Sequence, residues 1–175
     1  MKYSNELGYL SYGFNSFERK IPLAYSLYAK LLLPSIVQYV DNLVAYGNPN
    51  VTANHSSTLE ITTDSYLTPS GDCIVGISSN RSPSAFSNDF ISACQTKNAK
   101  ITAKLSVGSH EQYIFGCGHP DLTFKSTNSA VIRKSCYVDD RTIMINSDTA
   151  AKNLNRNIIP LLQNENKISL RLTVL

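Results

Sequence analysis

The chain has 175 residues, 42% of them hydrophobic and 17% charged, with a formal net charge of +3. That balance excludes a disordered tail or a fibre and describes a soluble globular protein whose length favours one domain. The charge is far too small for a dedicated nucleic-acid binder with clustered Lys and Arg. Its placement, eight basic against five acidic residues over 116–175, is still compatible with an anionic partner.

Residues 1–43 read as an N-terminal extension. Its apolar run from Leu23 to Pro34 is interrupted by Lys30, so no membrane span is expected, and Glu18, Arg19 and Lys20 come too late for a signal peptide. Two readings stay open here: a helix over Leu23 to Leu33, or sequence that is no part of the domain. Cys73, Cys94, Cys117 and Cys136 match no zinc spacing, and free thiols in a reducing cytoplasm are expected. The location expected is therefore cytoplasmic.

From residue 44 on, the chain repeats itself. Gly47-Asn48-Pro49-Asn50-Val51-Thr52 recurs as Gly118-His119-Pro120-Asp121-Leu122-Thr123, an offset of 71. Asp72 to Ser79 meets Asp140 to Ser147 at 68, and Ile101 to Val107 meets Ile168 to Val174 at 67. Three blocks in one order define a single domain, 44–175, made of two repeats, 46–107 and 117–174.

Each repeat reads strand, strand, helix, strand. The first strand spans Val51 to Thr62, or Leu122 to Lys134. Next come a turn at Thr68-Pro69-Ser70-Gly71, or Asp139-Asp140, and a β-branched strand at Cys73 to Ser78, or Thr142 to Asn146. Ser87 or Asn88 caps a helix carrying Phe90, Ile91, Ala93 and Cys94. Its counterpart runs from Leu154 to Gln163, with Pro160 expected to bend it. The last strands alternate cleanly at Ile101, Ala103, Leu105 and Val107, and at Ile168, Leu170, Leu172 and Val174.

The expected fold is mainly β with two helices. Two ββαβ repeats would close as a six-stranded barrel with a pseudo-twofold axis, since neither buries its apolar face alone. A two-sheet β-sandwich is the alternative. Gly71-Asp72 before an apolar strand resembles the "GD box" of the cradle-loop barrels, which include the double-psi barrels. In that group the aspartate ties a turn by accepting backbone N–H bonds, so Asp72 reads as structural.

Further blocks carry a second resemblance: Gly47-x-Pro49-Asn50-Val51-Thr52-Ala53-x-His55, Thr58-Leu59-Glu60, Leu67-Thr68-Pro69-x-Gly71-Asp72-Cys73-Ile74 and Gly118-His119-Pro120. With Val131 to Ser135, Asp140-Arg141-Thr142 and Asp148-x-Ala150-Ala151, they are similar to the archaeal domain-of-unknown-function family 371, over about 44–175. The chain departs from that pattern at Asn48, where the family has histidine, and at Thr149, where it has lysine. The resemblance implies an archaeal, cytoplasmic origin and no particular activity.

Functional candidates come from positions where the repeats differ in polarity. His119 stands opposite Asn48, His55 opposite Ser126, Arg133 and Lys134 opposite Thr62 and Thr63, and Arg141 opposite Cys73. Arg offers a planar fork, and Lys a point charge, to phosphate or carboxylate. The ligand-binding set read from the sequence is His55, Glu60, His119, Arg133, Lys134 and Arg141. The function expected is a binding module for an anionic ligand: a nucleotide, a phosphorylated metabolite or RNA. The alternative is an enzyme acting on a small phosphorylated or carboxylated substrate, with His55, His119 and Glu60 as acid–base groups. No cofactor or metal is implied, and the oligomeric state stays open.

Overall fold

The structure is a computed structural model that describes residues 37–175 and two short strands, β1 (Tyr9–Leu10) and β2 (Ile21–Pro22). These two pair antiparallel within a first unit, Met1–Val37. The helix expected over Leu23 to Leu33 lies outside the described residues.

The second unit, Gln38–Leu175, contains β3 (Tyr39–Tyr46), β4 (Thr58–Thr62), β5 (Ile74–Gly76), α1 (Asn88–Cys94), β6 (Lys100–Val107) and β7 (His110–Cys117). β8 (Ser129–Arg133), β9 (Thr142–Met144), α2 (Ile159–Gln163) and β10 (Lys167–Val174) follow. The strands make two four-stranded sheets, β3-β10-β6-β7 and β5-β4-β8-β9. The expected six-stranded closed barrel is therefore not what the ladders form, and two sheets are consistent with the sandwich alternative. The strand count rises to eight because β3 and β7 join β10 and β6 at the edges of the first sheet.

Local chemistry accounts for the elements. Ser87 caps α1 by accepting the Phe90 N–H at 3.3 Å. Pro160 does not bend a helix but opens α2, where its missing N–H costs nothing. The first strands are shorter than expected because Ala53 (φ 49°) and Phe124 (φ 52°) adopt left-handed backbone, which breaks an extended run. β6 and β7 form a hairpin through Gly108-Ser109, with Gly108 at φ +57°.

The apolar sides of both sheets share one core, in which Leu43, Ala45, Leu105, Leu170 and Ile168 meet Leu59, Ile61, Val75, Ile132 and Ile143. A Cβ on Gly76 of β5 would lie 2.8 Å from Ile168 Cδ1 and 3.1 Å from Ala45 Cβ, so the sheets pack closely there. Two isolated antiparallel pairs, Tyr46 with Ile77 and Cys117 with Ile145, connect the sheets at opposite sides.

The elements recur at three spacings. β7 and β8 follow β3 and β4 by 71 residues, β9 follows β5 by 68, and β10 follows β6 by 67. The left-handed residues recur likewise: Ala53 and Phe124, Ser78 and Asn146, Asn98 and Glu165. Under these spacings two cross-strand pairs map onto themselves, Lys104 with Arg171 in the first sheet and Glu60 with Val131 in the second. Any pseudo-twofold axis runs through those two pairs.

Candidate functional site

Alternation on β4 and β8 sends Leu59, Ile61, Ala130 and Ile132 to the core and Thr58, Glu60, Ser129, Val131 and Arg133 to the other face. Thr58 pairs with Arg133 and Glu60 with Val131, so four of the residues read from the sequence, Glu60, Arg133, Lys134 and Arg141, gather on or beside this sheet. Its organising group is Asp139. Asp139 Oδ2 accepts from Arg133 Nη2 at 2.6 Å and from Arg141 Nη2 at 3.0 Å. Oδ1 accepts the Thr142 hydroxyl at 2.8 Å and the Arg141 backbone N–H at 3.1 Å.

Burial alone would push the Asp139 carboxyl up. The Thr142 hydroxyl and the two guanidiniums more than offset this and hold it at about 2. A carboxylate whose folded pKa lies below its unfolded value stabilises the fold above the unfolded value. That contribution disappears as pH falls through the folded value. The stability gap between the parent protein and Asp139→Asn is therefore expected to be full above pH 4 and to shrink steadily toward pH 2. Urea denaturation midpoints across that range check it.

Arg133 is fixed: its Nε donates to Thr142 Oγ1 at 2.9 Å and its guanidinium stacks on the exposed Tyr137 ring at 5.0 Å. Arg141 is half exposed, with its Nε–Nη2 edge spent on Asp139. Lys134 reaches Asn153 Oδ1 at 3.3 Å, and its backbone N–H donates to Ser57 O. Glu60 is buried, and the Cys73 thiol lies 3.5 Å from its Oε2. Burial, followed by the Glu60 carboxylate, pushes that thiol up to about 12, so it stays a neutral donor and no thiolate nucleophile forms.

The histidines are turn residues. His55 Nδ1 accepts the N–H groups of Ser57 (3.3 Å) and Thr58 (3.0 Å), as Ser126 Oγ accepts those of Asn128 and Ser129 in the second half. His119 Nδ1 accepts the Asp121 N–H at 3.2 Å, as Asn48 Oδ1 accepts that of Asn50. The nitrogen nearest the Asp121 carboxylate is thus already an acceptor, which argues against an ion pair there. His55 sits against Lys152, whose N–H its carbonyl accepts, while His119 follows Gly118 at the end of α1. Among the described residues no hydrogen bond or ion pair joins the two. Asp72 ties its turn through its backbone carbonyl, which accepts from Asn54 and His55, and not through the carboxylate expected of a GD box.

Sequence reasoning missed the other polar face. On β6 and β10 the residues between the core positions are Lys100, Thr102, Lys104 and Ser106, and Lys167, Ser169, Arg171 and Thr173. Register places Arg171 opposite Lys104, and Lys104 opposite Tyr113 of β7. Thr102 faces Phe115 in the next row. Tyr113 and Phe115 are 51% and 54% exposed, on successive outward positions. Lys104 Nζ pairs with Glu111 Oε1 at 2.6 Å and lies 5.7 Å from the Tyr113 ring centroid. Among the described residues Arg171 and Lys167 have no carboxylate within ion-pair distance. The readable signal was the recurrence of Lys100 as Lys167 and of Lys104 as Arg171, the polar half of an alternation read only for its apolar half.

Two comparisons with known proteins bear on this arrangement. A family model described as a domain of unknown function, DUF371, matches residues 43–175. The chain belongs to the DUF371 family. It is also 40% identical over 131 residues to an uncharacterized protein of the archaeon Methanocaldococcus jannaschii, covering 74% of this chain and 96% of that one. The resemblance read from the sequence is thereby established, and the relative is archaeal.

Several of the DUF371-like blocks now have a structural meaning. Asn48, which departs from the family pattern, supplies the same turn acceptor as His119, so that departure leaves the turn intact. In this DUF371 chain no described helix is long and apolar enough to cross a membrane. Among the described residues no group of three or more His, Cys, Asp or Glu side chains gathers as for a metal ion.

Proposed function

We propose that this DUF371 protein is a cytoplasmic binding module for an anionic ligand, held on the outward face of the β3-β10-β6-β7 sheet. One observation carries the reading. Lys104 and Arg171 stand directly opposite each other on the two central strands, flanked by Lys100 and Lys167. Like charges in that relation destabilise a sheet, and Glu111 offsets only the Lys104 side of the pair. An anionic ligand would offset the repulsion.

The recurrence of elements at spacings of 71, 68 and 67 supports an origin by duplication, with repeats 46–107 and 117–174, each preceded by a matching strand (β3 or β7), closing as a pseudo-twofold barrel through the two connecting pairs. The basic pair then marks one end of the pseudo-axis and Glu60 the other. A second reading keeps the ligand at Arg133, Lys134 and Arg141, with His55, Glu60 and His119 in or near the site. It is favoured by the two guanidiniums that share the single Asp139 carboxylate. The enzyme alternative has less support, because His55 and His119 spend Nδ1 on turns.

Titration with inorganic polyphosphate tests the proposal. Binding that weakens steeply with salt is expected, together with a large loss in Arg171→Glu and none in Arg141→Glu. The opposite ranking would move the site to the arginine pair. No binding at low salt would remove the anion-binding reading.

A further inference from the structure

The outward face of the first sheet carries more than charge. Exposed apolar side chains on a folded protein are commonly scattered singly. Here Tyr113 and Phe115 occupy successive outward positions of β7, about 7 Å apart along the strand. Their rings border the row Arg171–Lys104 and the row Thr173–Thr102. β7 is built backwards for a strand at the edge of a core. Of its inward positions His110, Gln112, Ile114 and Gly116, Ile114 alone is fully buried, while the large aromatics face out. A strand selected for packing alone would reverse that order.

We infer that this face binds single-stranded nucleic acid, with Tyr113 and Phe115 stacking two successive bases and Arg171, Lys104, Lys100 and Lys167 receiving the phosphates. The inference rests on the anion-binding reading of the same face and adds the ligand class. On the strands, four cations stand against the single outward carboxylate Glu111, and with Asp148 bound to the Phe115 N–H at the β7 edge the face is still net positive for the backbone. A four-stranded sheet that offers aromatic rings to bases and cations to phosphates is a sequence-tolerant platform for an unpaired strand. A duplex keeps its bases stacked and has no use for the rings. A phosphorylated metabolite needs neither two rings nor four cations spread along two strands. The ring positions belong to the second half only, since Asn42 and Val44 occupy them in the first, so bases lie toward β7 and the basic centre is shared.

Fluorescence anisotropy with labelled oligonucleotides of about eight residues, within the site sizes usual for such platforms, tests this on the full chain. RNA and DNA single strands, a duplex and competing polyphosphate form the arms. Either single strand is expected to bind more tightly than the duplex or polyphosphate, and the tighter of the two identifies the natural strand. Affinity should fall with salt at a log–log slope of about −3, from roughly four phosphate contacts. Tyr113→Ala and Phe115→Ala should each weaken strand binding about 5- to 150-fold, equivalent to ~1–3 kcal/mol per stacked base. Their polyphosphate affinity should stay unchanged. Arg171→Glu should weaken both ligands, and Tyr66→Ala, an exposed aromatic elsewhere, should weaken neither. Strand affinity unchanged in the aromatic variants, or no better than that of polyphosphate, overturns the inference while the anion-binding reading stands. Failure of both ligands to bind removes that reading and the inference together.

Discussion

Replacing Gly118 with alanine is expected to lower the stability of the protein by about 3 kcal/mol, at the upper end of the usual cost of overpacking a tight contact. A Cβ there would lie 2.0 Å from the carbonyl oxygen of Cys94, at the end of α1. No rotamer relieves that contact, because the obstacle is backbone and Gly118 N–H is itself bonded to Ala99 O at 3.0 Å. Gly47 has the same constraint: its Cβ would lie 1.9 Å from Leu162 O in α2, while its N–H bonds Asn166 O. Each glycine therefore seats the start of one half against the helix end of the other. Gly108 supplies the contrast. It has φ +57° but only the Leu161 side chain near it, at 3.7 Å, so Gly108→Ala should cost about 1 kcal/mol from left-handed backbone alone. Denaturant unfolding of the three variants should rank Gly118→Ala and Gly47→Ala far below Gly108→Ala. Equal losses would mean that the close approach is not what these glycines provide.

Those two glycines show what the sequence makes legible. Gly47-x-Pro49 and Gly118-x-Pro120 announce themselves by repetition, as do the last strands with their period of two. Physical constraints on backbone and core act alike on both halves, so they leave matched residues. β7 was not legible, because its inward positions are His110, Gln112, Ile114 and Gly116 and offer no apolar alternation. The turn Gly108-Ser109 between β6 and β7 was its one local cue. Comparing the halves for differences led to Arg133 and Arg141, which the structure places on Asp139, and it passed over Lys104 and Arg171 because they match. A residue pair at a pseudo-twofold axis can be both repeated and functional, since the axis brings the two copies together. The pairing of Arg141 with Asp139, two residues away, is legible from the sequence, but neither the reach of Arg133 to Asp139 across a turn of six residues nor the meeting of Lys104 with Arg171 follows from spacing.

The largest single loss among charged groups is expected at Asp41. This carboxylate is 4% exposed in β3 and collects four donors: Arg81 through Nη1 and Nη2, the Asn42 N–H at 2.7 Å and the Ser87 N–H at 2.8 Å. Arg81 continues to Asn42 O and Ala85 O and packs over the Phe86 ring. Asp41→Ala strands a guanidinium and the backbone N–H of the residue that caps α1. Removing one member of a fully buried pair costs about 3–5 kcal/mol, and because Arg81 remains a third exposed we expect about 3 kcal/mol. The second half shows how to do without the pair. At the position matching Asp41, Gln112 accepts the Asn155 N–H at 2.8 Å and donates to Asn153 O at 3.3 Å, the bonds that Asp41 makes to Ser87 and Arg81 makes to Ala85. Thr149 stands where Arg81 does. Asp41→Gln alone should therefore be costly, and adding Arg81→Thr should recover at least about 1 kcal/mol, a coupling within the range of contacting residues. A double variant no more stable than Asp41→Gln would show that the two halves lock their edge strands by different means.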